Sequence, residues 1–249
     1  MTQDFAGRTA LVTGGNSGIG RAVAGLLADR GARVVISGRD AARGDKAVEE
    51  IRAAGGTADF VQADLADLDS VRSLAARSIE LGGGHVDVLI NNAGIFPFGP
   101  TAEVPVSDFD EVYAVNVRAP FYLVAELAPL MAARGHGAIV NLTTMVASFG
   151  LAGMAAYGSS KAALQLLTKA WAAEFGPAGV RVNAVSPGPT RTEGTAVLGE
   201  NLDGLAGTTP LQRVGRPDEV AEGIVFLASD AASLIHGAVL PIDGGRLAV

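Results

Sequence analysis

Tyr157-Gly-Ser-Ser-Lys161 sets a phenol and an ammonium four residues apart, on one face of a helix and one turn from each other, with Thr144 thirteen residues upstream of the tyrosine. A neighbouring cation favours the phenolate, so Lys161 is expected to draw the Tyr157 pKa down and make the phenol a proton-transfer group near neutral pH. The Thr144 hydroxyl, carried in by the end of a preceding strand, could hydrogen-bond a carbonyl oxygen on which negative charge grows. Tyr and Lys at this spacing also occur as ordinary surface pairs, so the elements that position them decide the reading.

Those elements begin at the N-terminus. Arg8-Thr-Ala-Leu-Val-Thr13 reads as a short buried strand that runs into Gly14-Gly-Asn-Ser-Gly18-Ile-Gly20, after which Ile19, Ala22, Val23, Leu26 and Leu27 recur at helical spacing until Gly31. Glycines let such a turn stay tight and approach a pyrophosphate, while the exposed N–H groups and the helix dipole receive its charge. Arg33-Val-Val-Ile-Ser37 follows as a second strand and completes a βαβ unit. Further apolar strands are expected near 58–63, 86–91, 137–143, 180–185 and 238–242, with helical periodicity between them. The alternation predicts an α/β fold: a single-domain, doubly wound parallel sheet of seven strands with helices on both faces, spanning 1–249. Gly14, Asn91, Thr144 and Pro187 all follow strand carboxyl ends, so the motifs should converge on one rim of the sheet.

The spacing T-G-x-x-x-G-x-G from Thr13 to Gly20, Asp64-Leu65, Asn91-Asn-Ala-Gly94, Asn116, Tyr157 with Lys161, and Pro187-Gly-Pro-Thr-Arg-Thr192 occur in the order seen in the classical short-chain dehydrogenase/reductase family, which the chain resembles from about residue 5 to 245. Gly215-Arg-Pro-Asp-Glu-Val220, Phe226-Leu-Ala-Ser-Asp230 and Asp243-Gly-Gly245 are similar to it as well. The resemblance implies a nicotinamide dinucleotide held by Gly14, Asn16, Ser17, Gly18, Ile19 and Gly20 in the first turn, and by Ser37 and Arg39 after the second strand. Asp64, Leu65, Asn91, Ala93 and Gly94 would continue the site, and Pro187, Gly188, Thr190 and Thr192 would close it beside the nicotinamide. It implies a catalytic set of Asn116, Thr144, Tyr157 and Lys161, in which Tyr157 moves the proton, Tyr157 and Lys161 also belong to the cofactor-binding set with Lys161 on the nicotinamide ribose, and Asn116 anchors a water that links Lys161 to solvent. Thr144 stands where most members carry Ser, which keeps the hydroxyl and adds a methyl group. A catalytically impaired nucleotide-binding scaffold or regulator is therefore an alternative.

Ser37-Gly38-Arg39 lacks the acid that usually holds an NAD ribose at this strand end and offers a cation and a hydroxyl to a 2′-phosphate, so NADP(H) is favoured, with NAD possible. The positions expected to border a substrate, Ile95, Phe96, Pro97, Phe98, Met145, Val146, Phe149, Leu151, Met154 and Pro189, are apolar and point to a hydrophobic ketone or secondary alcohol. Glycines at 194, 199, 204 and 207 suggest a mobile flap over about 190–210.

Composition narrows the partners. The 249 residues contain no cysteine and three histidines without ligand spacing, which excludes disulfides and thiol catalysis and gives no metal site. A net charge of −7 argues against nucleic acid or an anionic membrane surface as partner. No apolar run is long enough to span a bilayer, and the N-terminus carries no leader pattern, so a cytoplasmic enzyme is expected. Helices near 107–134 and 155–175 are rich in Ala, Val and Leu and are expected to pair in a homotetramer, the usual assembly of the family resembled.

Overall fold

The computed structural model describes residues 3–249; Met1 and Thr2, part of the terminus read as lacking a leader, lie outside the described residues. Seven strands, β1 (Thr9–Thr13), β2 (Arg33–Gly38), β3 (Thr57–Gln62), β4 (Val88–Asn91), β5 (Gly137–Leu142), β6 (Val180–Pro187) and β7 (Val239–Ile242), form one sheet. Every pairing is parallel, and the order is β3-β2-β1-β4-β5-β6-β7. The order reverses between β1 and β4, which opens the crevice beyond their carboxyl ends where such sheets bind ligands.

Eight α-helices connect the strands: α1 (Gly18–Asp29), α2 (Ala41–Ala53), α3 (Leu68–Leu81), α4 (Val106–Tyr113), α5 (Ala119–Ala133), α6 (Ala155–Phe175), α7 (Glu200–Ala206) and α8 (Pro217–Ala228). Alternation along each strand divides the core into two layers. Ala10 and Val12 of β1, Val34 and Ile36 of β2 and Ile90 of β4 meet Val23 and Leu27 of α1, Val48 of α2 and Ile224 of α8. Leu11, Val35, Leu89 and Ile139 point the other way, onto Leu74 of α3, Leu123 and Leu127 of α5, and Leu164 and Trp171 of α6. Burial from both sides is what near-continuous apolar strands require.

The helix expected near 107–134 is interrupted. Ala114–Arg118 forms a π-helical turn between α4 and α5. Pro120, in the first turn of α5, has no N–H to return to the Asn116 carbonyl, so the regular ladder is broken at this point. The proposed flap is ordered into a 3₁₀ segment, Gly194–Leu198, followed by α7. No helix among the described residues is long and apolar enough to cross a membrane.

Candidate active site

The carboxyl ends of β1 and β4 are clipped together by one side chain. Thr13 Oγ1 accepts from the N–H groups of Asn92 and Ala93 at 3.0 and 3.1 Å. Asn92 Nδ2 donates back to the Thr13 carbonyl at 2.8 Å. Against this clip the glycine turn folds with positive φ at Gly14 (64°) and Gly18 (51°). A Cβ on Gly20 would overlap the Gly14 carbonyl, so glycine there keeps α1 close to the turn. Ser17 caps α1 without a side-chain hydrogen bond, and the first turn of α1 contains no acid. The helix's own first turn therefore supplies neither a cap nor a negative charge to its N-terminal donors.

Two adjoining cavities form one elongated cleft over this rim. The first, of about 300 Å³, is lined by Gly14, Asn16, Ser17, Gly18, Ile19, Ser37, Arg39, Asp64, Leu65, Ala93 and Gly94. The second, of about 210 Å³, is lined by Thr144, Tyr157, Lys161, Pro187, Gly188, Thr190 and Thr192 together with Phe96, Met145, Val146, Leu151, Met154 and Pro189. Ile19, Asn92, Gly94, Phe96 and Thr192 belong to both. Ser37 Oγ is buried in the wall of the first cavity without a hydrogen-bond partner inside the protein, as a hydroxyl kept for a ligand would be. A Cβ on Gly38 would overlap the Asn16 side chain, so a larger residue at this strand end would have to displace the Asn16 amide.

At the second cavity, Thr144 is extended and buried, and Tyr157 is half-buried beside Phe96, with ring centroids 5.9 Å apart. Burial raises the Tyr157 pKa above the ordinary phenol value, and the neighbouring Thr144 hydroxyl partly offsets the rise. The expectation that Lys161 lowers it is therefore reversed here. Lys161 is itself buried; its ammonium donates to the Leu142 carbonyl at 2.8 Å, and desolvation pushes its pKa down to about 8. The Tyr157 phenol therefore stays protonated at neutral pH.

Asn116 sits on the π-helical turn. Its Oδ1 accepts from Ile95 N–H at 3.0 Å, and its Nδ2 donates to the Ile95 carbonyl at 2.9 Å and to Ser160 Oγ at 3.0 Å. The side chain thus ties the β4 exit segment to α6, one residue before Lys161.

Most of the expected site residues meet on the cleft wall, but three do not. Gly20 acts through packing. Asn91 is buried under the rim, where its Nδ2 donates to Asn141 Oδ1 at 2.8 Å. Asn116 lies behind Gly94, whose Cβ, if present, would stand 3.2 Å from Asn116 Oδ1. Among the residues expected to border a substrate, Phe98 is 67% exposed, Phe149 lies under the Arg246 guanidinium with 4.6 Å to the ring centroid, and Ile95 and Pro97 turn away from the second cavity. Sequence reasoning missed Asn92 and the flap residues Thr195, Leu198, Leu202 and Leu205, all of which line the second cavity. The leucine spacing at 198, 202 and 205 was the available signal, obscured by the surrounding glycines.

Comparison with known proteins agrees with this geometry. A family model described as enoyl-(acyl carrier protein) reductase matches residues 14–246. A solved structure described as a short chain dehydrogenase/reductase family protein is 52% identical, with a TM-score of 0.91 over 99% of this chain and 100% of the other. A short chain dehydrogenase from Burkholderia cenocepacia, in complex with NADP, is 37% identical, with a TM-score of 0.92 over 98% of this chain and 99% of that one. Cis-4-hydroxycyclohexanecarboxylate dehydrogenase of Sinomonas cyclohexanicum is 42% identical over the full length of both chains. A sheet ordered 3-2-1-4-5-6-7, a glycine turn on its rim and the Thr, Tyr and Lys groups beside it accompany these likenesses, and the chain belongs to the short-chain dehydrogenase/reductase family of NAD(P)-dependent oxidoreductases.

Proposed function

We propose that the protein interconverts neutral, hydrophobic ketones and secondary alcohols with NADP(H) as preferred cofactor and Tyr157 as general acid and base. The observation that carries the reading is the placement of Tyr157, Thr144 and Lys161 on one wall of a mostly apolar cavity that opens directly into the glycine-turn cleft. When bound, the nicotinamide supplies or accepts the hydride. Tyr157 gives its proton to the oxygen that gains charge, and the Thr144 hydroxyl holds that oxygen through a hydrogen bond. Lys161 has donors to spare beyond Leu142 and would hold the ribose hydroxyls. Asn116 has both amide protons engaged, so it serves as a positioning residue that fixes Ile95 and α6 rather than as a carrier of protons.

Three features support NADP(H): glycine rather than an acid at 38, Ser37 with an unpaired hydroxyl, and Arg39 on the same cavity wall. The NADP complex of the Burkholderia relative agrees with this preference. The wall of the second cavity has no cation besides Lys161 to receive a carboxylate, and Thr143, Thr190 and Thr195 already donate to backbone carbonyls. A sugar or an acid would leave polar groups unpaired there, whereas an apolar ring or chain would not. Although the Sinomonas relative acts on a hydroxycyclohexane carboxylate, the lining of this chain favours the uncharged ring.

The reading includes a single domain, supported by the one continuous sheet, and a cytoplasmic homotetramer. Assembly is supported by apolar side chains left exposed on neighbouring helices, among them Phe109, Phe121 and Leu166. The scaffold alternative finds less support, because Thr144, Tyr157 and Lys161 line the same cavity wall.

Spectrophotometric screening of cyclic ketones, aryl ketones and β-ketoesters with NADPH and NADH tests the proposal. Turnover of neutral ring ketones with NADPH is expected. Tight cofactor binding without turnover of any of them would favour the scaffold, and a tenfold preference for NADH in kcat/KM would overturn the cofactor assignment.

A further inference from the structure

Gly18, the first residue of α1, donates its N–H to the carboxylate of Glu193 at 3.0 Å, across a separation of 175 residues. Glu193 stands at the root of the flap, and the neighbouring Thr192 is so close that a Cβ on Gly18 would lie 3.1 Å from its side chain. The contact is not a by-product of an ion pair. The nearby guanidinium groups are engaged elsewhere, Arg21 with Glu50 and Arg191 with Asp203. Because α1 has neither an acid in its first turn nor a side-chain cap, Glu193 supplies the negative charge that this N-terminus lacks.

The same terminus opens on the cavity that holds the unpartnered, buried Ser37 hydroxyl, an independent sign that the cleft is built for a polar ligand. The Gly18 N–H is one of the donors of the glycine turn. It has a single hydrogen, and a carboxylate beside it repels a phosphate.

We propose that Glu193 is a carboxylate latch: it holds the flap root to the N-terminus of α1 in the cofactor-free enzyme and is displaced when a dinucleotide pyrophosphate takes the glycine turn. Cofactor affinity is thereby set partly by a residue of the substrate flap, and cofactor entry frees the segment that carries Leu198, Leu202 and Leu205 over the second cavity. The coupling is reciprocal, so loosening the latch tightens cofactor binding. This inference rests on reading the cleft as a dinucleotide site.

Two measurements on the full-length protein test it. Glu193→Ala, which removes the carboxylate, should bind NADPH about two- to fivefold more tightly by fluorescence titration, the scale of one partly exposed carboxylate at a helix N-terminus. Glu193→Gln keeps the reach without the charge and should fall between the two. In the absence of cofactor, Glu193→Ala should be cleaved by trypsin after Arg191 several-fold faster than the wild type. NADPH affinity unchanged or weakened in Glu193→Ala overturns the latch while leaving the dinucleotide reading intact. If the wild type binds neither NADPH nor NADH, the dinucleotide reading fails, and the latch proposal, which depends on cofactor displacement, fails with it; faster flap cleavage would then show only that Glu193 anchors the flap.

Discussion

Gly94 lies against Lys161 so closely that a Cβ there would stand 3.0 Å from Nζ, with Asn116 Oδ1 at 3.2 Å on the same side. The β4 exit segment, the π-helical turn and α6 therefore meet at a point where a methyl group would fit only if its neighbours moved. Gly94→Ala is expected to fold normally, since Gly94 is exposed to the cleft, but to shift the ammonium by a few tenths of an ångström. Displacements near 1 Å cost on the order of 10²-fold, so a drop of about tenfold in kcat/KM is expected, with Tm nearly unchanged. Steady-state kinetics and a thermal melt on the same sample check this.

Thr144 carries a hydroxyl and a methyl, and only the hydroxyl is assigned a role. Thr144→Ser is expected to retain or raise kcat, because the donor stays and the cavity gains space. Thr144→Ala should lose about 10²–10³ in kcat, the scale of one missing oxyanion donor. Unchanged turnover in the alanine variant would remove Thr144 from the mechanism.

Arg39 is 68% exposed and its only carboxylate partner among the described residues, Glu111, is distant at 3.8 Å, so its guanidinium is free to turn to a 2′-phosphate. Arg39→Gln should lower kcat/KM for NADPH by about tenfold, in line with the loss of one charge-assisted hydrogen bond, and leave NADH nearly unaffected. Equal losses with both cofactors would show that Arg39 touches the shared part of the dinucleotide instead.

The pH dependence follows from two opposite shifts. Tyr157 is raised above 10.0 by burial and stays protonated at neutral pH, so ketone reduction should persist there, while alcohol oxidation, which needs the phenolate, should climb with pH. Lys161 titrates near 8 in the folded protein against 10.5 for a free lysine, so between those values the unfolded chain binds more protons than the native one. Its contribution to stability therefore improves as pH rises through that window. The Tm of the wild type relative to that of Lys161→Met should rise from pH 7 to 10, and a constant offset would contradict the assignment.

The sheet was legible because its inner strands β1, β4, β5 and β6 are buried on both faces and read as apolar runs. Val88 to Asn91 and Gly137 to Leu142 lie where the apolar pattern puts them, and the motifs after them share a rim for the same reason. The π-helical turn at Ala114–Arg118 was not legible: its residues suit an α-helix equally well, and only the missing Pro120 N–H hints at a break. The fall of Lys161 to about 8 could not be read either, because spacing shows that two groups are close but not how little water reaches them. The Gly18–Glu193 contact joins distant segments through exposed polar atoms, which leave no periodicity to read.

The central claim is that the Tyr157 hydroxyl moves the proton and that losing it costs the chemical step far more than cofactor binding. The most direct test compares Tyr157→Phe with the wild type for NADPH affinity by titration and for single-turnover reduction of a cyclic ketone. Affinity within about threefold and a rate lower by about 10²–10⁴ are predicted. Reduction at more than a tenth of the wild-type rate would contradict the account.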